Sequence, residues 1–297
     1  MSKVTISMRR MALAGCAALA LFTAAAAQAK TILFVGNSFT QGAHSPVRAY
    51  RPDLVTDLNG TGIGGVPALF KTFADEAGLD FTVSLETDGG KGLEFHYATK
   101  RALIDRAWDI VVLQGLSTLD RKNPGDPTLH VENAALLAKM FKRANPAAEV
   151  DLVSTWSRAD LTYLSTGHWH GQPITAMADD LAAASRLALQ RSPDIQRAIP
   201  VGTAWNRAFA ERIADPNPYD GTSFGQVDLW TYDQYHASAA GYYLEALVLF
   251  GAITGVDPTT LGAREKGADA IGLSPELTVA LQRVARDTLR AQGATRP

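Results

Sequence analysis

Hydrolysis by a hydroxyl nucleophile needs a base to take the hydroxyl proton and a carboxylate to orient that base. The stretch TILFVGNSFT, Thr31 to Thr40, runs an apolar segment into Gly36, Asn37 and Ser38, which sets a hydroxyl just past a strand-like run. Six histidines are available: His44, His96, His130, His168, His170 and His236. Only His236, in DQYHASAAGYYLEALVLFG, has a carboxylate at short fixed range with a strongly apolar helix pattern behind it, from about Ser238 to Phe250. Asp233 precedes it by three residues, about one turn, so Asp233 can accept the Nδ1 proton and leave Nε2 free for a serine.

Other patterns compete less well. GTSFG, Gly221 to Gly225, matches the Gly-x-Ser-x-Gly elbow in letters. That elbow needs a strand before and a helix after, whereas ADPNPYD and QVDLW read as loop on both sides of Ser223. His168-Trp169-His170 has metal-like spacing but sits in a loop composition without a third ligand near it in sequence, so an exposed loop lining the site with Trp169 is expected. GTGIGG, Gly60 to Gly65, has phosphate-loop composition without the strand directly before it or the Lys-Ser/Thr after it, and reads as a flexible loop.

The elements that must position these residues follow from hydrophobic period. Strands are expected at Thr31 to Val35, Phe81 to Leu85, Asp109 to Leu113, Val150 to Ser154 and Ile199 to Val201. Helical patterns run from about Pro67 to Ala77, Leu93 to Arg106, Glu132 to Arg143 and Ile174 to Gln190. Alternation of strand and helix implies an α/β fold with a parallel sheet covered on both faces, and such sheets bind ligands beyond the carboxyl ends of their strands. Ser38 lies at that end, and Gly36 is expected to let the backbone turn sharply there. A terminal amphipathic helix in SPELTVALQRVARDTLRAQ carries Leu277, Val279, Leu281, Val284 and Leu289, and is expected to pack on the domain.

Residues 1–29 read as a secretory leader: Lys3, Arg9 and Arg10 precede an apolar run ending in Ala27-Gln28-Ala29. Leu13-Ala14-Gly15-Cys16 resembles a lipoprotein box, but the apolar run continues past Cys16; Arg9-Arg10 is a twin-arginine pair without the usual bulky residues after it. Cleavage after Ala29 leaves 268 residues, 30–297, without cysteine, read as one domain of an exported protein held by its core. The leader takes three cations and no carboxylate, moving the formal charge from −2 to −5, which argues against nucleic acid or an anionic membrane as partner.

With Gly-Asn-Ser near one end and Asp-x-x-His near the other, the chain resembles the SGNH, or GDSL-like, hydrolases. The resemblance spans about Lys30 to Gly255 and implies a flavodoxin-like three-layer α/β/α sandwich. In VGNSF, Asn37 stands where the family has the Asp of Gly-Asp-Ser-Leu, and Ser38 takes the nucleophile position. DQYH supplies Asp233 and His236. The family's second block is a Gly whose amide joins the oxyanion hole; TDGGKGLEFH offers Gly89 or Gly90, with Gly90 favoured. The third block, Gly-x-Asn-Asp, is replaced by VVLQGLST. By similarity to Gln-containing carbohydrate acetylesterase branches, Gln114 becomes a third oxyanion donor beside the amides of Ser38 and Gly90, with Ser117 as rival.

The implied reaction is hydrolysis of carboxylic esters, chiefly acetyl or short acyl groups on carbohydrate, with no metal or organic cofactor. The alternatives are a lipase or thioesterase on the same fold, and a carbohydrate-binding protein without turnover. The substrate partner would be a small-molecule or polysaccharide ester. Insertions at Thr40 to Pro67, Ser157 to Pro173 and Asp215 to Thr231 are expected to border the site. Their Trp156, Trp169, Tyr163, Tyr219 and Trp230 are expected either to stack on sugar rings or to pack the loops.

Overall fold

The computed structural model describes Met1 and residues 29–293. Residues 2–28, with Cys16 and the Arg9-Arg10 pair of the expected leader, lie outside the described residues. Six parallel strands form one sheet in the order β2-β3-β1-β4-β5-β6. They are β1 (Lys30–Gly36), β2 (Thr56–Asp57), β3 (Phe81–Thr87), β4 (Ile110–Gln114), β5 (Glu149–Val153) and β6 (Arg197–Ile199). The short edge strand β2 lies inside the first insertion, where its two residues gave no periodic signal.

Alternation along β1 shows why both faces must be covered. Ile32 and Phe34 enter one hydrophobic core, Leu33 and Val35 the other, and all four are buried. The first core packs α1 (Gly65–Glu76), α6 (Val201–Ala210), α7 (Ala239–Thr254) and α9 (Pro275–Ala291) on the sheet. The second packs α2 (Leu93–Thr99) and α4 (Thr128–Ala144), with the end of α5 (Ala176–Arg191). The result is a three-layer α/β/α sandwich. No helix among the described residues is long and apolar enough to cross a membrane.

Several boundaries differ from the sequence expectation. The helix expected from Leu93 to Arg106 breaks at Lys100 into α2 and a single turn, α3 (Arg101–Ile104). Helix α4 starts at Thr128, four residues before Glu132. The last strand ends at Ile199, because Pro200 and Val201 turn the chain directly into the unanticipated α6, and proline suits the entry to a helix. A further short helix, α8 (Lys266–Ala270), precedes α9. Ser274 caps α9 by accepting from the Leu277 amide, and Leu281, Val284 and Leu289 are fully buried in the first core. Helix α7 is buried around nearly its whole circumference, as an apolar helix without a polar face must be, and Gly255 ends it with φ of 75°.

Candidate active site

Strand β1 delivers Ser38 to the carboxyl edge of the sheet. Gly36 does not have a left-handed backbone; the reason for a glycine there is space. A Cβ at this position would sit inside contact distance of the Thr40 hydroxyl and 2.9 Å from Gln114 Oε1. Past it the chain closes into a tight turn, the amide of Gln41 donating to the Asn37 carbonyl and that of Ala43 to the Ser38 carbonyl, each at 3.0 Å.

His236 reaches this turn from a loop, not from the start of a helix. The Asp233 carboxylate accepts the Tyr235 and His236 amides on Oδ1, at 3.1 and 2.9 Å, which curls the loop back on itself. Helix α7 begins only at Ala239, capped by Ser238. His236 Nδ1 donates to Asp233 Oδ2 at 2.6 Å, and that partner leaves Nε2 as an acceptor for the Ser38 hydroxyl at 2.9 Å. Burial is the main force pushing the His236 pKa below its ordinary value, with the charges of His44 and Arg158 adding to it and Asp233 opposing it. Burial would raise Asp233, but its hydrogen bonds to His236 and Tyr235 outweigh that and hold the carboxyl below the usual range. At neutral pH the arrangement is therefore a neutral imidazole between a hydroxyl and a carboxylate.

Three loops meet under Ser38. The Asn37 side-chain amide donates to the carbonyls of Lys91, at 2.9 Å, and Gly115, at 3.2 Å, and its Oδ1 accepts the Phe39 amide at 3.2 Å. Gln114 lies buried at the end of β4, its Oε1 accepting from the Asn37 amide at 3.1 Å and the Thr40 hydroxyl at 3.0 Å. Its Nε2 donates to the Gly115 carbonyl. That bond uses one of the two N–H groups of the carboxamide. Ser117 is buried three residues further on. Gly90 has φ of 70°, where glycine is favoured, while neighbouring Gly89 does not. Its carbonyl accepts from Arg121.

The sequence reading passed over His44, which belongs to this site. Its backbone is left-handed at φ of 61°, its carbonyl accepts from the Thr231 hydroxyl at 3.1 Å, and its Nδ1 lies 2.6 Å from the Tyr232 hydroxyl. The His44 and His236 rings are 4.5 Å apart. Among the described residues, His44, Asp233 and His236 offer donor atoms within 4.8 Å of one another, close enough to hold a metal ion. In the arrangement present, hydrogen bonds to Tyr232 and Ser38, and between Asp233 and His236, engage these side chains.

The insertions do meet around the site: the first and third at His44 and Thr231, the second and third where the Tyr163 hydroxyl donates to the Pro216 carbonyl at 3.1 Å. Three of the five proposed aromatic platforms are unavailable to a sugar. Trp156, Trp169 and Trp230 are at most 2% exposed. Trp156 is sandwiched between Phe39, at 4.1 Å, and Trp205, at 4.7 Å, and donates to the Tyr235 carbonyl at 3.2 Å. Trp230 donates to the Ser157 carbonyl. Trp169 donates to Asp180 inside a separate small core rather than lining the site. Tyr219 remains exposed and Tyr163 half-buried, packed edge to face.

The remaining motifs fall away from the chemistry. Ser223 lies in loop, its amide donating to Asp215. His168 stands 3.6 Å from Asp180. In the Gly60 to Gly65 loop, the carboxylate of Asp57 accepts from the amides of Asn59, Thr61 and Ile63, so an internal anion fills the place a phosphate would take.

The architecture is shared with solved structures that include a GDSL-like protein. A DUF4886 family protein from Bacteroides uniformis shares it with a TM-score of 0.64 and 20% sequence identity, over 89% of this chain and 96% of that one. A candidate GDSL-like lipase from Parabacteroides merdae shares it with a TM-score of 0.52 and 16% identity, over 76% of this chain and 95% of that one. At such identities the likeness is one of fold. No family model and no curated relative matches the chain.

Proposed function

We propose that the protein is a serine hydrolase of carboxylic esters. The observation that carries this reading is the continuous line of hydrogen bonds from Ser38 Oγ through the His236 ring to Asp233, made by residues from opposite ends of the chain. His236 takes the Ser38 proton as Oγ attacks an acyl carbonyl, then returns it to the departing alcohol; water, activated by the same base, releases the acid. The amides of Ser38 and Gly90 and the remaining N–H of Gln114 are assigned to the carbonyl oxygen as it gains charge, each such donor contributing about 3 kcal/mol in the transition state.

Acetyl or another short acyl group on carbohydrate is the substrate we favour. The rim beside Ser38 is polar and charged, with His44, Tyr232, Lys91 and Arg121 exposed around it, which suits a hydroxyl-rich leaving group better than a long chain. The leader read in residues 1–29 would place the activity outside the cytoplasm, where such polymers are met.

The test is labelling with an alkyl fluorophosphonate, together with assays on 4-nitrophenyl acetate, on long-chain esters and on acetylated polysaccharide. A single adduct on Ser38 is expected, with Ser38→Ala lowering kcat by about 10³-fold or more. No adduct and no turnover would remove the hydrolase reading, and preference for long chains would remove the deacetylase.

A further inference from the structure

Cavities of about 700 and 440 Å³ lie at the amino edge of the sheet, beside the end of α1 and the start of β1, away from Ser38. Another, of about 620 Å³, opens at the carboxyl edge between the turns that follow β3 and β4, and its walls include Gly90, Lys91, Glu94, Phe95, Leu116 and Arg121. We propose that this cavity is a subsite for a carboxylate carried by the sugar whose acyl ester Ser38 attacks. The inference rests on the esterase reading and adds the charge class of the substrate.

Its position comes first. Asn37, the residue before the nucleophile, holds the Lys91 carbonyl at 2.9 Å, and Gly90 is the assigned oxyanion amide. On this proposal, a group bound here would belong to the same molecule whose ester lies at Ser38.

Its charge comes second. The chain carries 30 acidic and 28 basic residues, yet this wall presents two cations, Lys91 and Arg121, and neither forms an ion pair among the described residues. The one carboxylate in the wall, Glu94, folds back over Gly92 at the start of α2, where a Cβ on Gly92 would collide with it. Lys100, just past the end of α2, is already shared between Glu86 and Asp88, at 3.7 and 3.6 Å. A guanidinium and an ammonium in the wall of one open space match a carboxylate, which the first can hold through two oxygens and the second as a point charge.

Its rigidity comes third. Arg121 donates to the Gly90 carbonyl, which aims its plane along the turn. The loop that presents it is fixed from below by Leu119, a buried non-glycine residue at φ of 64°, a conformation that surrounding packing must hold. Asp120 Oδ1 closes the next turn by accepting the amides of Lys122, at 2.5 Å, and Asn123, at 3.0 Å. Phe95 steadies the ammonium in this wall, with Lys91 Nζ 4.9 Å and Lys100 Nζ 5.7 Å from its ring centre.

The experiment compares acetylated oligosaccharides of a uronic-acid polymer with the same oligosaccharides after reduction of their carboxyl groups. The expected ratio of kcat/KM, acidic over reduced, is about tenfold or more at low ionic strength, falling as salt is added. Lys91→Gln with Arg121→Gln brings that ratio towards one by raising KM for the acidic substrate. Lys91→Gln alone leaves Arg121 on the Gly90 turn and lowers the ratio in part. A ratio near one in the unaltered protein, or one that survives both substitutions, overturns the subsite. A second arm does not need turnover: Ser38→Ala protein is titrated calorimetrically with the deacetylated acidic oligosaccharide. Saturable binding that Lys91→Gln with Arg121→Gln abolishes supports the subsite; no binding overturns it. Hydrolysis of 4-nitrophenyl acetate reports separately on the esterase reading.

Discussion

Asn37 stands where the pattern it resembles has an aspartate, and its surroundings give the physical reason. Its Nδ2 faces two carbonyl oxygens, those of Lys91 and Gly115, so the position requires a donor. A carboxylate there would lose both bonds and meet two acceptors in a buried place. Asn37→Asp is therefore expected to cost on the order of 3 kcal/mol of stability, read from chemical denaturation, and to lower kcat as the three loops separate. As the proposed base, His236 would govern the response to pH. Its pKa lies below the ordinary 6.5, chiefly through burial, and catalysis needs the neutral ring, so kcat/KM should be flat at pH 7 and fall on the acid side with a midpoint below 6.5. His44 contributes to the lowering of the His236 pKa through its charge, so His44→Gln should move that midpoint upward. A profile that shifts the other way, or not at all, would show that His44 does not act on His236 through its charge.

Among the elements, the column Phe39-Trp156-Trp205 does the positioning that Asp233 alone does not. Trp156 stacks on the residue after Ser38 and donates to the carbonyl of the residue before His236, joining nucleophile and base through one side chain. Trp156→Phe keeps most of the stacking but leaves the Tyr235 carbonyl unpaired. The expected cost is about 1 kcal/mol of stability, with a fall in kcat and little change in KM for a small ester. Trp156→Ala should cost about 3 to 5 kcal/mol, measured by the same unfolding curves. None of this was legible in the sequence, since Trp156 stands in a Ser- and Thr-containing loop and the partners that bury it are Phe39 and Trp205, distant in the chain. The strands β1 and β4 were legible because residues buried on both faces leave unbroken apolar runs, and β3 and β5 because apolar residues recur at alternate positions between turn signals. Ser38 and the Asp233-His236 pair were legible because each adjoins an element with a strong pattern. His44 was not, because only the fold of the first insertion carries it back over the His236 ring. The Gly90 choice had a local signal in the Gly-Gly pair, but its left-handed backbone is a property of the turn.

At the scale of the whole molecule, the carboxyl edge gathers the turns after β1, β3 and β4 and the loop before α7, while the insertions enclose it. Strand β1 lies inside the sheet, paired with β3 on one side and β4 on the other, and α7 is the most completely buried helix of the first core. Ser38 and His236 are 198 residues apart. During synthesis the serine leaves the ribosome long before His236, and the loop that bears His236 runs directly into α7. If Ser38 is the proposed nucleophile, its reactivity would report on completion of folding. In refolding experiments, fluorophosphonate labelling should appear in step with hydrogen-exchange protection of α7; labelling that precedes that protection would show that the base is placed without it. On the proposed reading, a chain arranged this way would stay chemically silent while it is being made, and would react only when the last third of it is in place.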